Sequence, residues 1–289
     1  MSARNPEVLV CSKLTKSFRK RTILKDVDLT LANGVNVLAG KNGAGKSTFF
    51  YLINGIMRPD NGHVMIYGMD SWKTHASAMK EVSFMPEKLS VLGGTSVREH
   101  IYWFSLFKGT GSERIIDYMH LFGVDLVLSS TFQSLSMGEM QLVMLSCYLS
   151  ADASIFILDE PNSNVDVHKR SLISTAIRDR ASKSNSLFLI STHVFDEMLT
   201  IFDGLLILAN GNVHYSTRSW SSDSMSTLRT DNNALMLPSI KKQDTAAAIQ
   251  NGAIFTSLDI GSCARIASEL NVRILSFFSL PSQLRNLYE

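Results

Sequence analysis

The 289 residues carry 45% hydrophobic and 19% charged side chains, an ordinary balance for a folded protein, which excludes a disordered chain. A formal net charge of +2 is too small to argue for a nucleic-acid or anionic-membrane partner, and the densest basic run, Arg19-Lys20-Arg21, reads as a solvated turn. The length fits one large domain or two modest ones, and the widely spaced Cys11, Cys147 and Cys263 read as free thiols of a reducing compartment.

The opening "MSARNPEVLV" lacks the apolar core of a secretory signal, and no later apolar run approaches the length of a bilayer span, so a soluble chain is expected. "VLVCSKLTKSF" and "ILKDVDLTL" then alternate like antiparallel strands. "VNVLAG" (35–40) is a short apolar run that leads into "GKNGAGKST" (40–48), a match to G-x-x-x-x-G-K-[ST] between a predicted strand and the apolar segment "TFFYLI". In such a loop Gly40, Gly43 and Gly45, with Asn42 and Ala44 between them, let backbone N–H groups turn inward around phosphates. Lys46 would reach the β- and γ-phosphates, the Ser47 hydroxyl would ligate Mg²⁺, and Thr48 adds a hydroxyl at the helix start.

"VSFM" (82–85) runs into Pro86-Glu87, and a mostly helical insert follows over about 96–150. Its stretches "VREHIYWFSLF" and "RIIDYMHLF" carry aromatic stripes that read as core or as a partner-facing surface. Within it, "QSLSMGEMQLV" (133–143) pairs Ser136 with Glu139 at capping-box spacing, which predicts a helix start there and therefore an anion site far from the phosphate loop. "SIFIL" (154–158) delivers Asp159-Glu160 and "SLFLI" (186–190) delivers Ser191-Thr192-His193.

The four short apolar runs suit a parallel sheet covered on both faces, and all deliver their reactive residues at the carboxyl end, where open α/β sheets bind ligands. Asp159 has the position of a Mg²⁺-holding aspartate and Glu160 that of a general base for an attacking water; an acidic pair at a strand end also serves as a helix cap. A histidine after the last strand, His193, either donates to the γ-phosphate or is structural. Beyond "GLLILANGNVHY", the Ser/Thr-rich residues 214–233 read as a linker or loop, and "AIFTSL", "SCARIASEL" and "VRILSFF" predict strand, helix, strand in a small appended α/β unit over 234–289.

The ordered set "GKNGAGKST", "LSMGEMQ", "SIFILDEP", "NSNVD" and "STH" resembles the ATP-binding subunits of ABC transporters over about residues 7 to 213. The resemblance implies an α/β fold, a P-loop NTPase core with an ABC-type β-subdomain and a helical subdomain, followed here by the small C-terminal α/β appendage. It implies ATP and Mg²⁺ as cofactors, a membrane permease and a second ATP-binding subunit as partners, no nucleic acid, and a place at the inner face of the cell membrane. By the same resemblance Ser136, Gly138 and Glu139 complete a site over the ATP held by the opposing subunit. Phe18 stands where the family stacks an aromatic on adenine, a reading favoured over that of a strand-end core residue.

Glu87 stands in place of a glutamine that contacts Mg²⁺ and the attacking water, and Asp166 is assigned to communication between the two sites. Met137, Glu139 and Leu142 depart from the commoner Gly, Gln and Arg. The "YGMD" stretch and the Glu87 loop resemble small two-component exporters, including those of antimicrobial peptides. Two other readings compete: a soluble ATPase of the same type acting on ribosomes or DNA, and a nucleotide-binding regulator without hydrolysis, which Glu160 and His193 disfavour.

Overall fold

The computed structural model describes residues 7–19, 21–91, 94–192, 201–217, 224–250, 253–258 and 260–281. The four apolar runs form strands β3 (Gly34–Ala39), β6 (Val82–Met85), β7 (Ile155–Asp159) and β8 (Leu187–Ser191). With β9 (Gly204–Ala209) and β10 (Asn212–Thr217) they make a six-stranded sheet in the order β10-β9-β3-β8-β7-β6. The β9-β3, β3-β8, β8-β7 and β7-β6 pairings are all parallel. Every residue of β7 and β8 is buried, because a parallel strand covered on both faces has no solvent side and reads as a continuous apolar run.

Helix α1 (Lys46–Ile53) follows β3 and buries Phe49, Phe50, Leu52 and Ile53 in a core shared with Leu38, Ile157 and Leu189. The first two segments alternate as expected. Strands β1 (Leu9–Phe18) and β2 (Arg21–Leu31) pair antiparallel, and with β4 (Asn61–Ile66) and β5 (Met69–Asp70) they form a second sheet in the order β2-β1-β4-β5. Cys11, Cys147 and Cys263 are buried and not joined in disulfides, and burial pushes the Cys11 and Cys147 thiols up to about 12.

After the short helix α2 (His75–Ala78), the helical insert holds α3 (Val97–Lys108), α4 (Ser112–Leu121) and α5 (Met137–Ser150). Helix α3 opens with a Ser96–Glu99 capping box and ends at Gly109, whose φ of 65 stops the helix in the left-handed conformation. Its aromatic stripe faces outward: Tyr102, Trp103, Leu106 and Phe107 are exposed, Phe107 by 80%, while Val97 and Ile101 point inward. After β7, helix α6 (Val167–Ser184) begins at an Asp166 cap.

The chain divides into two units, residues 1–215 and 216–289. The stretch 214–233, expected as a linker or loop, instead contains the end of β10 and strand β11 (Ser224–Thr230). In β11 Ser226, Leu228 and Thr230 are buried, so only one apolar residue marks the inward face and hydrophobic periodicity misses the strand.

Strand β11 is one of the two internal strands of the second unit, in an antiparallel sheet of order β12-β13-β11-β14 with β12 (Ala248–Gln250), β13 (Ala253–Thr256) and β14 (Ile274–Pro281). Helices Asn233–Lys241 and Ile260–Glu269 alternate with the strands, giving the β-α-β-β-α-β succession of the split βαβ, ferredoxin-like arrangement. The expected strand, helix, strand are its last three elements, and Met236, Ile240, Ile254, Cys263 and Ile266 form its core.

Candidate phosphate- and metal-binding site

The loop between β3 and α1 sits at the carboxyl end of a central strand, where the parallel sheet opens to ligands. Gly45, at the N-cap of α1, has φ 111 and ψ 15, a conformation side chains avoid, and a Cβ there would lie 2.4 Å from Ile23 Cγ2. Gly40, Asn42, Gly43 and Ala44 form the rest of the loop, closed by a bond from the Ala44 N–H to the Lys41 carbonyl at 3.0 Å. No side chain caps α1 and its first turn carries no acid, so its leading N–H groups remain available to an anion. Ser47 and Thr48 are half-buried on that turn.

Lys46 is 9% exposed, and its Nζ donates to the Gly40 carbonyl at 2.8 Å, which folds the ammonium back over the loop. Arg21 on β2 donates to the Gly43 carbonyl at 3.1 Å, a buttress that sequence reading missed because it placed Arg21 in a solvated turn.

Asp159 closes β7 and is 1% exposed. Its Oδ1 accepts from the Ser191 hydroxyl, and its Oδ2 is buried with no hydrogen-bond partner. An ionised carboxylate oxygen buried without a donor is costly unless a cation belongs beside it. The Asp159 carboxylate therefore fits Mg²⁺, an oxygen-seeking ion that keeps waters and phosphate oxygens among its ligands. Among the described residues no three His, Cys, Asp or Glu side chains gather into a metal cluster. Glu87 is exposed in the segment after β6.

Glu160 takes a left-handed φ of 54 and is buried. Its N–H donates to Ser191 Oγ at 3.0 Å, so one hydroxyl on β8 holds both acidic residues of β7's end. Gln141 on α5, 3% exposed, donates from Nε2 to the Glu160 carbonyl at 3.1 Å and the Pro161 carbonyl at 3.2 Å. Neither Ser191 nor Gln141 was assigned a role from sequence. The signal for Gln141 was present as a single amide inside the apolar run of α5. His193 lies outside the described residues.

Helix α5 starts at the predicted capping box. The Ser136 hydroxyl accepts from the Glu139 N–H at 3.2 Å, while Glu139 Oε2 accepts from the Ser136 hydroxyl at 2.7 Å and the Ser136 N–H at 2.9 Å. The Ser136 hydroxyl, then its N–H, hold the Glu139 carboxyl below the usual carboxylate range. Gly138 has a local reason for being glycine: a Cβ would lie 2.7 Å from the Asn164 carbonyl oxygen.

Asp166 accepts from the Lys169 N–H at 3.0 Å as the cap of α6, and that bond is the main cause of its lowered pKa. Phe18, at the end of β1, is 45% exposed with Lys16 Nζ 5.6 Å from its ring centre, so it is available for stacking and is not a core residue. Among the described residues no helix is long and apolar enough to cross a membrane.

The sequence model of the ABC transporter family matches residues 24–163. ATP-binding cassette sub-family A member 17 of Mus musculus is 30% identical over 199 residues, which are 67% of this chain and 11% of that protein. The chain thus spans about a tenth of the length of that relative. The lipopolysaccharide export system ATP-binding protein LptB of Haemophilus influenzae is 28% identical over 214 residues, 71% of this chain and 88% of that protein. A solved ATP-binding subunit of an ABC transporter superposes with a TM-score of 0.68 at 25% identity, covering 73% of this chain and 90% of that one.

Proposed function

The chain carries an ATPase domain of the ABC transporter family, and on that premise we propose that it hydrolyses Mg-ATP to power a separate membrane permease, working as an exporter. The observation that carries the reading is the uncapped α1 terminus beside a strand end whose Asp159 has a buried, unpartnered oxygen. Helix α1 and the Gly40–Gly45 loop bind the phosphates, Lys46 turns from the Gly40 carbonyl toward them, and Phe18 stacks on the base. Ser47 and Asp159 hold Mg²⁺, with Glu87 as a further oxygen near the metal; when bound, the ion neutralises charge on the β- and γ-phosphates. Glu160 draws the proton from the attacking water, and His193 donates to the γ-phosphate.

A second ATP-binding subunit supplies Ser136, Gly138 and Glu139 over the γ-phosphate, and Asp166 links the two sites across the pair. The Ser136 hydroxyl, which donates to Glu139 Oε2 within the chain, would turn toward the phosphate as the subunits close. The outward aromatics of α3 and the Glu87 segment supply the surface on which the permease sits at the inner face of the membrane. The LptB name, an export-system protein, supports the exporter direction.

ATP turnover by the purified chain tests this. Lys46→Ala is expected to reduce turnover at least ~100-fold, and Glu160→Gln to abolish it while increasing the ATP-dependent dimer seen by size exclusion. Unchanged turnover in Glu160→Gln would remove the general base from the scheme. Purification of the chain from membranes together with a multi-span protein is expected for the permease, and recovery with ribosomes instead would replace that partner.

A further inference from the structure

Glu160 is a general base that must sit in one place, yet its backbone lies in a region that ordinary side chains visit rarely. Such a conformation persists only where the surroundings fix it. Its N–H is held from β8 by Ser191, as described, and the carbonyls on its other side are held from α5 by Gln141. The Gln141 amide has two N–H groups, and the two carbonyls it reaches, of Glu160 and Pro161, belong to consecutive peptide units. A buried amide in the apolar interior of α5 is costly unless its hydrogens are used, and here they fix the chain direction immediately after the carboxylate-bearing residue.

We infer that Gln141 is the positioning residue for Glu160, linking the carboxylate to the helix that begins with Ser136 and Glu139. The inference rests on the ATPase reading of the site. The geometry extends beyond one pair of bonds. Gly138, one turn before Gln141 on α5, lies against the carbonyl of Asn164, so the start of α5 touches the Glu160–Asn164 loop at two points. A shift of α5 when a phosphate engages its N-terminus therefore moves the backbone that carries the base. Ser191 is less informative as a probe because it also binds Asp159, so its removal disturbs the metal ligand together with the base.

Gln141→Met keeps length and volume and removes both donors. Misplacing a reacting group by about 1 Å costs roughly 100-fold in rate, so kcat should fall about 10- to 100-fold. The Mg-ATP dissociation constant, measured with a fluorescent nucleotide, should stay within about 2-fold, since no phosphate or metal ligand has been touched. A merely structural role would instead lower the melting temperature and weaken nucleotide binding along with kcat.

Gln141→Leu, which also removes both donors and buries no charge, should reproduce the low kcat and serves where the Met variant fails to fold. A kcat within about 2-fold of the unaltered protein in a folded Gln141 variant overturns the inference, as does a loss carried by nucleotide affinity. Should Glu160→Gln itself leave turnover unchanged, the ATPase assignment of Glu160 fails first and takes this role with it, an outcome distinct from a silent Gln141.

Discussion

The sharpest test of the phosphate loop is Gly45→Ala. At φ 111 and ψ 15 the residue lies outside the region that Asn or Asp reach easily, and forcing an alanine into such sparsely populated backbone costs about 1–3 kcal/mol. The added Cβ also meets Ile23 Cγ2 at 2.4 Å, on a strand held in the β1-β2 pair, and overpacking of this kind costs about 1–3 kcal/mol. Together the two strains amount to about 2–6 kcal/mol, and the loop can avoid them only by opening away from the phosphates.

Denaturant unfolding and Mg-ATP titration of Gly45→Ala should therefore show a large stability loss or, where the loop opens, a nucleotide affinity reduced by at least ~10-fold. The double variant with Ile23→Ala separates the causes. Truncating Ile23 relieves the clash but not the backbone strain, so the cycle should return a favourable coupling of about 1–3 kcal/mol and leave the remainder. Wild-type stability and affinity in Gly45→Ala would refute the reasoning, because the residue could not then have a φ of 111 in the folded loop.

Two further outcomes concern the frame around the site. Phe188→Ala removes one of two fully buried rings stacked at 4.5 Å and 9°, with Arg180 5.2 Å over the other, and should cost about 3–5 kcal/mol in denaturant melts. Loss below about 1 kcal/mol would mean that the sheet repacks around the gap. His100 is lowered from its ordinary 6.5 by burial, its Nε2 has no partner, and its ring lies edge-on to Phe132 at 5.0 Å.

The unfolded chain takes up a proton at 6.5 that the folded chain resists, so this contribution is present above that pH and is lost as pH falls toward the lowered folded value. Melting temperatures between pH 7.5 and 5.5 should consequently fall less in His100→Phe than in the unaltered protein. Carboxylates such as Glu139 and Asp60, held low by Ser136 and Lys16 respectively, act only at lower pH and do not confuse the window. Equal slopes would mean that His100 takes its proton in the folded state.

Much of the candidate site is legible in the sequence. The phosphate loop, Asp159-Glu160 and the α5 capping box each follow from short-range rules, in which residue type and spacing decide backbone geometry directly. Phe18 needed the structure to choose between core and surface, and exposure chose surface. The residues that were missed act across long sequence separations. Ser191 reaches Asp159 and Glu160 only because β7 and β8 are neighbours, and Gln141 reaches Glu160 only because α5 lies against the β7 end. Strand β11 escaped because its buried face is Ser226, Leu228 and Thr230, whose inward direction is set by pairing with β13 and β14.

The sequence alone determined the parallel strands, their reactive ends and the glycine-bearing phosphate loop, because periodicity of burial and backbone conformational limits are local and leave their record in residue order. Tertiary structure decided which carboxylate oxygen is left without a donor, what holds the backbone of Glu160, and why Gly138 and Gly45 tolerate no side chain. Those depend on groups brought into contact from distant parts of the chain, and no spacing along the chain encodes an approach of that kind.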